Sequence, residues 1–229
     1  MKRILVGLAV LTSSISAANA ADLWVDQPLV IPESASAYDW SGFYAGVFGG
    51  YAGGTATSTS VPAGIVTSID AKGALIGATA GANAQFDMFV LGLEGDIAWT
   101  NTNGSATCAA NPAFTCNGRV EWLGSAKARA GVAFDNLLLF ATAGVAAGGF
   151  EASNTPIPNN ISGSYRGTAW GWTVGAGAEY AVTETISLKA EYAYYDLSHL
   201  QAPAGTAYST PVDLSGKVHT VKVGINYHF

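Results

Sequence analysis

The chain reads as all-β, an eight-stranded antiparallel up-and-down transmembrane β-barrel, and three observations lead there. Eight segments alternate apolar residues with small or polar ones at a period of two, the pattern of a strand with one apolar face. Short turns alternate with long connections between those segments, as in a membrane barrel. Charged residues make up only 11% of the 229, and Gly fills 28 positions, where an ordinary soluble domain is roughly 25% charged. A spanning helix needs an uninterrupted apolar run of about eighteen residues. The nearest candidate, "LLLFATAGVAAGGF" (Leu137 to Phe150), is too short and too rich in Gly. Only helices and closed barrels satisfy every backbone group in hydrocarbon, so the sheet is expected to close.

Residues 1–20 carry a targeting pattern and are expected to be removed after Ala20. Lys2 and Arg3 supply a positive start, Ile4 to Leu11 an apolar stretch, and Ala18 to Ala20 a small-x-small cleavage site. An N-terminal membrane helix is the alternative, and Thr12, Ser13, Ser14 and Ser16 interrupt it. Residues 21–40 contain two Pro and no alternation, and are expected to form a short periplasmic leader beneath the first strand. The barrel is expected to fill 41–229, with no further domain. Cleavage leaves 8 basic against 16 acidic side chains, which argues against nucleic acid as a partner.

The first strand follows Trp40 and sets Phe43, Ala45, Val47, Gly49 and Tyr51 on one face, before a polar loop expected from Thr55 to Asp70. The second runs from Gly73 to Phe86, with Ala74, Ile76, Ala78 and Phe86 opposite Gly77, Thr79, Asn83 and Gln85. Only Asp87 and Met88 separate it from the third, in which Phe89, Leu91, Leu93, Ile97 and Trp99 oppose Glu94 and Asp96. A loop from Thr100 to Gly118 precedes the fourth, Arg119 to Phe134, whose apolar face holds Val120, Trp122, Ala126, Ala128, Ala130, Val132 and Phe134. Arg119, Glu121, Ser125, Lys127 and Arg129 take its other face. Asp135 and Asn136 turn the chain into the fifth strand, Leu137 to about Phe150, and a loop from Glu151 to Tyr165 follows, marked by Pro156 and Pro158. The sixth, Ala169 to Tyr180, opposes Trp170, Trp172, Val174 and Tyr180 to Thr173, Gly175, Gly177 and Glu179. After the turn Ala181 to Glu184, the seventh sets Ile186, Leu188, Tyr192 and Tyr194 against Ser187, Lys189, Glu191 and Tyr195. A last loop, Ser198 to about Ser215, leads to the closing strand. There Val221, Val223, Ile225, Tyr227 and Phe229 form the apolar face and Lys222, Gly224, Asn226 and His228 the other. An even strand count lets the first and last strands pair antiparallel and removes free edges.

A soluble barrel with its apolar faces inward is the competing architecture. Five Trp and many Tyr and Phe would then crowd a narrow interior, while Gly, Thr and Ser covered the outside. Turned outward, the aromatics form two interfacial girdles: Phe86, Phe89, Phe134, Tyr180 and Phe229 near the short turns, and Trp99, Trp122, Trp170 and Trp172 toward the loops.

Four segments, "DWSGFYAGVFGGYAGG", "FVLGLEGDIAW", "GWTVGAGAEYAVTETISLKAEYAYYDL" and "HTVKVGINYHF", resemble the small porin-like outer-membrane proteins of alphaproteobacteria, the group of 25- and 31-kilodalton surface antigens. The likeness covers all but the loops and the targeting segment. It implies an outer-membrane location and a structural and antigenic role in the envelope. It also implies that the terminal aromatics Tyr227 and Phe229 act as the signal read by the barrel assembly machinery.

Eight strands enclose a lumen that side chains can fill. The inward charges Glu94, Asp96, Glu121, Lys127, Arg129, Glu179, Lys189, Glu191 and Lys222 are of both signs and are expected to pair, because an unpaired charge in a confined interior is costly. A hydrogen-bonded plug is the favoured reading, and a narrow porin-like path for ions or small solutes, opened by partner exchange, is the alternative. His199, Ser198 and Asp196 invite comparison with lipid-modifying enzymes, as does His219, but no spacing enforces a triad and no enzyme is expected. Cys108 and Cys116 flank "AANPAFT" in a compartment where disulfides persist, and no metal-ligand set surrounds them. A bridge across that loop is expected to restrain it by about 2–3 kcal/mol. Some relatives are reported to bind haem, for which Tyr165, Tyr208 and His199 are the weak candidates, so the loops are a further alternative site for a ligand. No cofactor is otherwise called for. Outer-membrane lipid and lipopolysaccharide are the expected surroundings.

Overall fold

A computed structural model describes residues 38–60, 64–109, 113–156, 163–202 and 212–229. The predicted targeting segment, and residues 21–37 of the leader, lie outside them. The eight strands are β1 (Gly42–Ser60), β2 (Val66–Phe86), β3 (Phe89–Thr107), β4 (Phe114–Phe134), β5 (Leu137–Pro156), β6 (Gly163–Ala181), β7 (Ile186–Ala202) and β8 (Val212–His228). Each pairs antiparallel with its chain neighbours, and β1 pairs with β8 from Tyr44↔His228 through Val47↔Ile225 and Tyr51↔Val221, closing the barrel.

Two of the short turns rest on one Asp each. Asp87 (φ 57°) and Asp135 (φ 49°) hold the left-handed conformation, which Asp tolerates better than most side chains. The third spans 182–185, where Thr183 Oγ1 accepts the backbone N–H groups of Thr185 and Ile186 at 3.3 and 3.0 Å.

The other end of the barrel differs from expectation. Segments read as polar loops are largely strand, because Gly, Thr, Ser and Asn outside the lipid can still pair in a ladder when their neighbours are already in register. Strands of 17–21 residues result, where crossing a membrane takes about 9–11. Close to half of each strand therefore extends beyond the bilayer on the long-connection, extracellular side. Phe43, Ile76, Leu93, Trp99, Trp170, Tyr180, Val223, Ile225, Tyr227 and Phe229 all lie exposed on the outer wall, as the two girdles require.

One strand changes phase midway. The ladder slips twice here: against β5, Glu121 is an extra residue between Val120 and Trp122, and against β3, Thr100 and Asn101 stand opposite Glu121 alone. A bulge of one residue swaps the faces beyond it. Below it Leu123, Lys127 and Arg129 point inward; above it Val120 and Cys116 do, both buried, and Arg119 is exposed. The expected inward positions of Arg119 and Glu121, and the outward one of Val120, are corrected accordingly.

The lumen is layered. Nearest the short turns, Trp40, Val90, Leu138, Phe140 and Ala181 form an apolar cluster. The last leader residues thus close the periplasmic mouth from inside: Trp40 is wholly buried, and its backbone N–H donates to Gln85 Oε1 at 2.8 Å. The middle of the lumen is ionic. Above it Phe48, Leu75, Leu123, Tyr195, Leu197 and Val218 belong to a second apolar cluster. Ile69, Cys108 and Cys116 form a third.

Candidate functional site

The ionic layer follows from register. Strand pairing sets Glu94 beside Lys127, Glu179 beside Lys189 and Glu191 beside Lys222, all on inward positions. Four cations, Lys127, Arg129, Lys189 and Lys222, meet four carboxylates, Glu94, Asp96, Glu179 and Glu191, and all eight side chains are buried. Lys127 Nζ lies 3.0 Å from Glu94, 2.9 Å from Asp96 and 2.7 Å from Glu191. Lys189 joins Glu94 at 2.5 Å and Glu191 at 3.3 Å. Lys222 reaches Asp96 at 3.4 Å and donates to Tyr195 Oη at 2.8 Å. Arg129 pairs with Glu179 and lies 3.9 Å above the centre of the Phe140 ring.

Neutral donors add to the coordination. Tyr44 donates to Glu94 at 2.6 Å, Ser125 to Asp96 at 2.7 Å, and Ser187 and Asn226 to Glu179 at 2.5 and 2.6 Å. Buried charges are tolerable only when paired and hydrogen-bonded, and a set of four against four meets that condition with no net charge. Such a layer can hold strands together across the lumen. It offers an ion no free counter-charge.

Glu121 is not part of it. The bulge turns it to the outer wall, where Arg166 lies 3.6 Å from Glu121 and 3.2 Å from Glu151. Sequence reading did not single out Tyr44, Phe48, Phe140, Trp40 or His228. Phe48, Tyr44 and Phe140 sit against inward glycines of neighbouring strands: a Cβ on Gly77 would meet the Phe48 ring at 2.6 Å, one on Gly81 the Tyr44 ring at 2.6 Å, and one on Gly177 the Phe140 ring at 2.6 Å. The available signal was an aromatic ring on the Gly-rich register.

The remaining candidates are dispersed. Cys108 and Cys116 are joined, with Cα atoms 5.2 Å apart, at the extracellular end of the β3–β4 hairpin. Ser198 Oγ donates to Asp196 at 2.9 Å, while His219 on the outer wall hydrogen-bonds Tyr192 at 2.7 Å. Tyr165 stands opposite Ala152 in the β5–β6 ladder. Tyr208 and the side chain of His199 lie outside the described residues. Phe229 is 79% exposed and stacks edge-on with Tyr227, and its N–H donates to Phe43 O at 3.0 Å, so both rings stand at the periplasmic rim beside β1.

Comparison with known proteins agrees with this geometry. The chain is 34% identical to the 31 kDa outer-membrane immunogenic protein of Brucella melitensis over 96% of its own length and 99% of the relative's. It is 31% identical to the 25 kDa outer-membrane immunogenic protein of Brucella canis, over 100% and 99%. Among solved structures, the outer membrane protein OprG from Pseudomonas aeruginosa shares the fold, with a TM-score of 0.53 at 12% identity, covering 84% of this chain and 98% of that one. A family model described as "Outer membrane protein beta-barrel domain" matches residues 7–229. The chain belongs to that family and is an integral β-barrel protein of the outer membrane.

Proposed function

We propose that the protein serves the envelope as a non-conducting structural barrel whose extracellular extension is its antigenic surface. One observation carries the first half: a neutral layer of paired charges crosses the lumen between two apolar layers. A solute would have to displace ion pairs and apolar packing together. The immunogenic names of the relatives, and strands that outrun the bilayer, support the second half. Outer-membrane lipid and lipopolysaccharide around the girdles are its surroundings, the barrel assembly machinery acts on its terminal aromatics, and nucleic acid and catalysis have no part. Narrow conduction is the second reading. It is favoured by Lys127 sharing three carboxylates within 3.0 Å, so that partners can exchange without leaving a charge unpaired. Haem capture by the loops would rest on Tyr165, Tyr208 and His199.

Deletion in the native host separates the first two readings. Loss of a structural barrel is expected to raise entry of the hydrophobic dye N-phenyl-1-naphthylamine and to leave uptake of small hydrophilic solutes unchanged. Slower hydrophilic uptake with normal dye exclusion would favour the pore. Antibody raised against the folded barrel is expected to label intact wild-type cells.

A further inference from the structure

We propose that the extracellular half of the lumen is a binding chamber for a small neutral apolar molecule, a single-ring aromatic or a short aliphatic chain. The space lies at the top of the second apolar layer and measures about 50 Å³, several times the roughly 10–15 Å³ that a single water needs. Ile69, Val120, Phe150, Leu197 and Leu214 line it. The charged residues at its border do not face it: Arg119 and Glu151 stand opposite one another in the β4–β5 ladder on the outward register, where Glu151 also pairs with Arg166.

Two features show how the chamber arises. The phase change at Glu121 brings Val120 and Gly118 to the inside, where an unbroken β4 would have presented Arg119. The inward positions around it are also small: Ala56, Ala152, Gly118 and Gly216 line a space that the layer below fills with Leu123 and Tyr195. Apolar walls gain nothing from water, so an apolar occupant is favoured there by the hydrophobic effect. A charged one would lose its hydration without a partner. The floor is closed by the Phe48–Leu123–Val218 layer, which makes the chamber blind toward the periplasm. It thus binds independently of whether the ionic layer conducts.

The test uses the whole methyl-labelled barrel in dimyristoylphosphatidylcholine nanodiscs, titrated with toluene and followed by methyl NMR. The Ile69, Val120, Leu197 and Leu214 signals are expected to shift and saturate. Those of the lipid-facing Ile76, Leu93 and Ile225 should drift in proportion to toluene dissolved in the bilayer. Gly118→Leu fills the chamber, since a Cβ at Gly118 meets only Ile69 Cδ1 at 3.7 Å and Ala56 Cβ at 3.9 Å, ordinary contacts. It is expected to abolish saturation, leaving the chamber methyls to follow the lipid-facing ones. Ala152→Leu fills the same space from β5 and serves if the first variant does not fold. Chamber methyls that never saturate in the wild type, or that saturate equally in a folded filling variant, overturn the proposal.

Discussion

At the scale of single residues, the barrel is held by side chains that are tolerable only together. Arg129 pairs with Glu179, lies over Phe140 and donates to Tyr44 at 3.3 Å, so its removal leaves a buried carboxylate short of its cation. Arg129→Met is expected to cost about 3–5 kcal/mol, and Arg129→Met combined with Glu179→Gln clearly less, because the second change removes the orphaned charge. Urea unfolding of the refolded barrel in liposomes reads the difference. A double variant as unstable as the single one would show that the pair matters for something besides charge balance. Eight of the nine charges were legible in the sequence because alternation alone decides which way they point. Their apolar caps were not: Tyr44 and Phe48 lie opposite the apolar face read for the first strand, Phe140 lies on a strand whose faces were not read, and nothing local tells that glycines on the next strand leave them room.

At the scale of elements, one inserted residue in β4 decides what the upper lumen contains. Strict alternation carried through Glu121 put Arg119 inside and Val120 in lipid; the bulge reverses both, and a period-two reading of one strand has no means of detecting it. Deleting Glu121 is expected to restore an unbroken ladder with β5 and turn Cys116 outward, away from Cys108. Alkylation without reductant should then add two groups to the variant and none to the wild type, as measured by mass. A variant that still forms the bridge would mean that the phase change is absorbed elsewhere. The closing strand offers a second check. Phe229 donates its backbone N–H to Phe43 O on β1, and its ring faces outward, so its deletion is expected to lower heat-modifiable, membrane-inserted protein several-fold while barely changing the unfolding midpoint of barrel refolded in vitro. Normal insertion in cells would remove the assembly role. Strand ends were the least legible part of the elements, since the polar extensions Thr55–Ser60 and Gly163–Thr168 pair because of their neighbours and not through any apolar face of their own.

At the scale of the whole molecule, closure was legible because it follows from solvent: eight outward apolar faces and an even count leave an antiparallel ring as the arrangement without unsatisfied edges. What the ring encloses depends on distances between strands far apart in sequence, such as Lys222 on β8 reaching Asp96 on β3. Sealing is a property of the full stack, with Trp40 and Phe140 below the charges and Phe48, Leu123 and Val218 above them. Planar-bilayer recording from the purified, folded barrel measures that seal directly. The wild type is expected to show no unitary conductance. Lys127→Glu, which leaves Glu94, Asp96 and Glu191 facing a like charge, is expected to give cation-selective openings if it folds. Steady single-channel currents from the wild type, abolished by neutralising Glu94 or Lys127, would contradict a sealed lumen and make the ion-paired layer a gate.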